Sequence, residues 1–219
     1  CVEGDETVKI NEILPNPEST DTNREFVELF NPSDETVSLA GWGIRAATRE
    51  FEEDLDYMFP EGATIAPGSF VVVSGSEVPV SDFYFNDESG SFGLGNSSTA
   101  PDGVQLVDCK LMTQDTWLYG NAGDPPDDAA LSDDMGAQTM GIMPTENLSL
   151  GRYPDGNDTD NNEDDLYTNM PPSPGEPNIR GGGGDDDSKG GCGCSGDKEP
   201  SAGDGPSEAG SGLAAIAVL

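Results

Sequence analysis

Apolar and polar positions alternate in short runs along most of this chain. No window holds the i, i+3, i+4, i+7 spacing that would bury one face of a long helix. Runs rich in β-branched and aromatic residues recur from residue 8 to about residue 178, separated by Gly, Pro, Asn and Asp. The clearest are VKINEIL at 8–14, EFVELF at 25–30, VSLAGWGI at 37–44, GATI at 62–65, SFVVVS at 69–74, VQLVD at 104–108 and TWLY at 116–119. Because side chains of a strand point alternately to its two faces, each run predicts a half-buried strand. In EFVELF, Phe26 points opposite to Val27, and Glu28 stands between apolar neighbours. VKINEIL keeps its apolar residues mainly on one face but slips after the polar pair Asn11 and Glu12. The expected fold class is therefore all-β, a sandwich of antiparallel strands.

Turn chemistry sharpens this picture. Ala66-Pro67-Gly68-Ser69 reads as a tight reversal, because Pro presets the first corner and Gly accepts a positive φ at the second. Asn31-Pro32-Ser33-Asp34 likewise separates two strands, and Leu39 and Trp42 are natural core fillers. The polar segments 46–57 and 120–144 are longer than hairpin loops usually are and read as insertions without consequence, with residues 49–55 a candidate short helix. From Arg180 the text changes to GGGG, DDD and then Gly, Ser, Pro and Glu, a composition unable to bury enough apolar surface to offset chain entropy. The organisation expected is an N-terminal tether at 1–7, a sandwich at 8–178, a disordered acidic Gly/Ser/Pro-rich linker at 179–211, and GLAAIAVL at 212–219. Eight residues cannot span a bilayer, which takes about 20, so this last run reads as the start of a truncated transmembrane segment or as an inconsequential apolar tail.

Charge narrows the function classes. With 43 acidic residues against 9 basic ones the formal charge is −34, so the surface field repels phosphate backbones and nucleic-acid binding is disfavoured. An acidic surface suits solubility outside the cell, cations or basic partners. There is no His, which removes Ser-His-Asp and Cys-His catalysis and His-ligated zinc. Ser97, Ser98 and Thr99 lie in a Gly- and Ser-rich loop with only Lys110 near in sequence as a base, a poor basis for a nucleophile. The chain is not expected to be an enzyme.

Two sets of residues carry candidate chemistry. In DGNDTDNNEDD at 155–165, Asp158, Asp160, Asn162 and Asp164 fall at alternate positions and offer hard oxygen ligands to Ca²⁺, the one cofactor the chain suggests. An EF-hand is excluded, since Glu163 occupies the sixth position, where Gly is needed, and Asn169 the twelfth. The alternative is that these side chains cap turns and solvate an acidic loop. The second set is Cys1, Cys192 and Cys194, candidates for lipid attachment or processing. Cys1 also reads as a disulfide partner of Cys109 or as an accident of truncation. Four Cys allow three pairings, and spacing does not choose among them. Cys192-Gly-Cys194 is too tight and isolated for a zinc site.

Taken in order, VKINEILPNP at 8–17, EFVELFNPSDETVSLAGWGI at 25–44, FPEGATIAPGSFVVVSG at 59–75, DGVQLVD at 102–108, LSLGRYPDGNDTDNNEDD at 148–165 and PSPGEPN at 172–178 resemble the lamin tail domain of bacterial exported proteins. The resemblance implies an immunoglobulin-like β-sandwich with no catalytic residues of its own. It further implies a binding or structural module, often attached to other surface domains or enzymes. The function expected is a module outside the cell or on the bacterial cell surface that binds a protein or glycan partner or spaces a neighbour. Membrane association would come only through terminal anchors. GGCGCS at 190–195, between an acidic Gly-rich spacer and the apolar end, is similar to the tripartite sorting tails of myxobacteria, although their full transmembrane helix and basic cluster are absent here. A Ca²⁺-dependent adhesive domain and an accessory domain of a surface hydrolase are the competing expectations.

Overall fold

The computed structural model describes residues 3–4, 6–19, 23–48, 55–85, 93–96, 101–120, 145–159 and 161–180. The chain divides into two units, Cys1–Gly184 and Asp185–Leu219, and the described residues all belong to the first. In chain order the strands are β1 (Lys9–Leu14), β2 (Phe26–Phe30), β3 (Val37–Ser38), β4 (Gly43–Thr48), β5 (Tyr57–Met58), β6 (Thr64–Ile65), β7 (Phe70–Ser74), β8 (Phe83–Tyr84), β9 (Pro101–Val107), β10 (Thr113–Gly120), β11 (Ser149–Arg152) and β12 (Leu166–Met170). A single helical turn, α1 (Asn162–Asp165), precedes β12.

Ten of these strands make two sheets. One has six strands in the order β12-β11-β1-β2-β7-β8, and the other has four in the order β10-β9-β4-β5. All pairings are antiparallel except β7 with β8. The short β3-β6 ribbon stands apart from both. Period-2 alternation sends Ile13 of β1, Val27 and Leu29 of β2, and Val71 and Val73 of β7 into one core with Ile44, Val104, Leu106, Trp117 and Tyr119 of the facing sheet. Each fully buried aliphatic or Phe side chain contributes roughly 1.5–3 kcal/mol. Leu39 and Trp42 are fully buried, as core fillers. The architecture is the all-β sandwich that the alternation predicts.

Two differences from the sequence reading have local causes. The run 37–44 is two strands, not one. Gly41 takes φ 80° and the Trp42 N–H donates to the Leu39 carbonyl at 2.9 Å, so a turn separates β3 from β4 and drives Leu39 and Trp42 inward. At 8–14, the slip after Asn11 is a β-bulge between Ile10 and Glu12, which resets which face each later residue takes. The 66–69 reversal forms as expected, with Gly68 at φ 59° and the Ser69 N–H on the Ala66 carbonyl at 3.2 Å. Asn31 staples its own turn to the neighbouring loop. Its amide donates to the Glu35, Ile65 and Ala66 carbonyls, while its Oδ1 accepts from Ser33.

The N-terminal stretch expected as a tether is bonded to the β9–β10 hairpin. Gly4 N–H donates to Asp108 Oδ2 at 3.1 Å and Glu6 N–H to Gln114 Oε1 at 2.9 Å. Cys109, at the hairpin tip, is disulfide-bonded. Residues 49–54, 97–99 and 121–144, the linker from residue 181 onward and the apolar end lie outside the described residues.

Candidate functional site

Polar chemistry concentrates where β1 crosses between β11 and β2, and it divides between the two faces of that sheet. On the interior face Arg152, the last residue of β11, is fully buried. Alternation along β11 puts it on the same side as core residue Leu150, so its guanidinium enters the gap between the sheets. There Nη2 donates to both carboxylate oxygens of Asp115 on β10, at 3.0 and 3.1 Å. Nε donates to the Ile10 carbonyl at 3.0 Å, and Nη1 to the Asn157 carbonyl at 2.8 Å and to Asp158 Oδ1 at 3.2 Å. Asp165 Oδ2 lies 3.5 Å from the same nitrogen, and the guanidinium stands 5.5 Å from the Trp117 ring centroid. Lys9 completes the hub with an ion pair to Asp158.

Asp115 joins the two sheets, because its Oδ2 also accepts the Ile10 N–H at 2.7 Å. Burial pushes its carboxyl up, while Arg152 and Lys9 pull it back toward the charged form. Asp165 holds the following loop, accepting from Asn157 Nδ2 and from the N–H and hydroxyl of Thr159.

The outer face of the same sheet is built differently. Glu12 and Glu28 are directly opposite on β1 and β2 and both are fully buried. Residues 171–178 (PPSPGEPN) lie over them. Ser173 N–H donates to Glu12 at 3.1 and 3.2 Å, and Gly175 N–H to Glu28 Oε2 at 2.6 Å. Asn11 Nδ2 donates to Glu28 Oε1 at 3.0 Å and to Asp155 Oδ1 at 3.1 Å. Asn178 N–H donates to the same Asp155 oxygen, and its side-chain amide reaches the Asn11 and Arg152 carbonyls. Among the described residues no Lys or Arg forms an ion pair with Glu12, Glu28 or Asp155. Burial, opposed by the Ser149 and Ser173 hydrogen bonds, raises Glu12 to about 7. Burial, opposed by Asn11 and Gly175 and reinforced by Glu12 and Asp155, raises Glu28 to about 8.

The structure treats the four oxygen residues singled out for Ca²⁺ separately. Asp158 is turned into the interior hub, paired with Arg152 and Lys9. Asp164 is exposed on α1 and accepts from Asn161 Nδ2 at 2.7 Å. Asp160 and the Asn162 side chain lie outside the described residues, as do Cys1, Cys192 and Cys194. Among the described residues no group of three or more His, Cys, Asp or Glu is placed to hold a metal ion. Arg152, Asp115, Glu12, Glu28 and Asn178 escaped the sequence reading. Glu12 and Glu28 carried a visible signal, as acids inside otherwise apolar strand runs.

A two-sheet antiparallel sandwich, closed across its interior by a buried ion-pair hub and bearing no assembled catalytic constellation among the described residues, defines an immunoglobulin-like β-module. The chain belongs to the lamin tail domain family, whose model matches residues 3–133. No curated protein matches the chain. The family match ends before β11 and β12, yet β11 pairs directly with β1, so the six-stranded sheet takes in residues beyond it.

Proposed function

We propose that this chain is a non-catalytic module acting outside the cell or on the bacterial cell surface, where its sandwich binds a protein or glycan partner or spaces neighbouring parts. Family membership carries this reading, since the lamin tail domain is an immunoglobulin-like fold without catalytic residues of its own. The buried Asp115, Arg152, Glu12 and Glu28 support it, because these four are occupied in tying strands and loops together. The Cys109 disulfide supports an oxidising compartment, as structural disulfides persist mainly outside the cytosol. Protease added to intact cells of the source organism should degrade the protein while a cytoplasmic marker survives; protection of both would overturn the surface assignment.

A Ca²⁺-dependent adhesive domain is the competing reading. For the 158–164 loop to serve it, Asp158 would have to leave Arg152 and Lys9, which costs buried ion pairs. Melting midpoints should therefore coincide in millimolar Ca²⁺ and in chelator. A rise in Ca²⁺ would favour the adhesive reading, since a ligand that binds the native state raises its stability by mass action.

A further inference from the structure

Four of the eight residues at 171–178 are Pro, at 171, 172, 174 and 177, so the segment has only four backbone N–H groups. Glu176 N–H closes a turn onto the Ser173 carbonyl at 3.0 Å. The other three all go to carboxylates: Ser173 to Glu12, Gly175 to Glu28 and Asn178 to Asp155. The segment is thus seated on an acidic cluster by its backbone.

The charged groups around this seat are Glu12 on β1, Glu28 on β2, Asp155 after β11 and Glu176 in the segment itself. The cations of the adjoining strands, Lys9 and Arg152, belong to the interior hub. Strand β7 faces the seat with apolar Val72, opposite Glu28, and the nearby Asp82 carboxylate accepts the Val72 N–H. Ionising Glu12 and Glu28 would therefore place two negative charges side by side under the segment, next to the Asp155 carboxyl and compensated by N–H, hydroxyl and amide donors.

The seat also accommodates the neutral acid. Ser173 Oγ lies 3.2 Å from both Glu12 Oε2 and Asn178 Oδ1, and a hydroxyl carries one hydrogen but two acceptor lone pairs. A protonated Glu12 donates to Ser173 Oγ, which then gives its own hydrogen to Asn178. Both contacts are hydrogen bonds in that state. When Glu12 is ionised, the single hydroxyl hydrogen is contested between two acceptors.

We propose that residues 171–178 form a proton-dependent clasp, seated on the β1–β2 face while Glu12 and Glu28 hold protons and released from it when they ionise. The upward displacement of both carboxyls by burial puts the change in the neutral range. Its consequence is local. Residues 171–178 lift from the sheet while the interior core stays closed.

Amide NMR relaxation of the full chain between pH 5.5 and 9 tests this directly. Order parameters at Ser173, Gly175 and Asn178 should fall from rigid values of about 0.85 to below about 0.6 as pH rises, while Val27 and Val73 stay rigid. In a Glu12→Gln, Glu28→Gln variant, whose amides mimic the neutral acids in shape, clasp order should not change with pH. Single Glu28→Gln should lower the response if the double variant does not fold. A clasp that stays rigid in the wild type throughout, a response that persists in the Gln variants, or loss of order at Val27 and Val73 alongside the clasp would each overturn the proposal.

Discussion

The two faces of one sheet bury acid in opposite ways. On the interior face, Asp115, Asp158 and Asp165 surround Arg152, with Lys9 alongside, so negative charge meets positive charge in a gap sealed by Trp117 and Leu150. On the outer face, Glu12, Glu28 and Asp155 meet only N–H, hydroxyl and amide donors among the described residues. A bidentate guanidinium fixes geometry and opposes the neutralisation that burial favours at Asp115, which suits a permanent bolt between two sheets. Neutral donors leave the protonation state open, which suits a part that lets go. The same residue types thus yield a fixed joint and a releasable one, separated by the thickness of a single sheet.

The largest effect should follow from breaking the bolt. Arg152→Met removes the partner of Asp115 and the donor to the Ile10 and Asn157 carbonyls while filling similar volume. Removing one member of a buried pair leaves an uncompensated buried charge and typically costs about 3–5 kcal/mol. The unfolding free energy from urea titration should drop by that amount or the fold should be lost, because the Asp115 side chain joins β10 to both β1 and β11. An unchanged midpoint would mean that apolar packing alone closes the sandwich, and the distinction between the two faces would lose its basis.

Much of the fold was legible in the chain, and much of the polar architecture was not. β1, β2, β7, β9 and β10 carry enough alternating Val, Ile, Leu and aromatic residues to declare themselves, and Pro67-Gly68 encodes its turn by backbone restriction alone. β11 and β12, written SLGR and LYTNM, lack that signal, because one flank of each is covered by polar contacts and Arg152 occupies a core position. β5 and β8 are two-residue edges too short for any period. The hubs were hidden for a different reason. Asp115, Arg152 and Asp158 are 37 and 6 residues apart along the chain, and only sheet pairing brings them together. In a sequence with 43 acidic residues, the one loop that looked like a ligand set drew attention by local spacing, whereas Asp158 is committed to an arginine.

A smaller effect, and a finer test of the comparison, lies in the pH dependence of global stability. Glu12 and Glu28 ionise near 4.5 in an ordinary setting but at about 7 and about 8 when folded. Between those limits the folded chain binds more protons than the unfolded one, so unfolding releases protons and stability falls as pH rises. The contribution is fully present below about pH 4.5 and is lost as pH climbs through 7 and 8. Moving a carboxyl from 4.5 to about 7 corresponds to on the order of 3 kcal/mol between the two limits. Release of the clasp truncates that loss, because once residues 171–178 lift away the carboxylates regain water without the core having to open. The Asp115 hub adds its own pH dependence, but it survives in the Glu12→Gln, Glu28→Gln variant, so the difference between wild type and variant isolates the outer face. Urea midpoints at pH 5 and pH 8.5 should differ more in the wild type than in the variant, by an amount set by the free energy of seating the clasp. Parallel pH profiles would mean that Glu12 and Glu28 ionise without cost beneath the segment, and the outer face would then be as permanent a joint as the inner one.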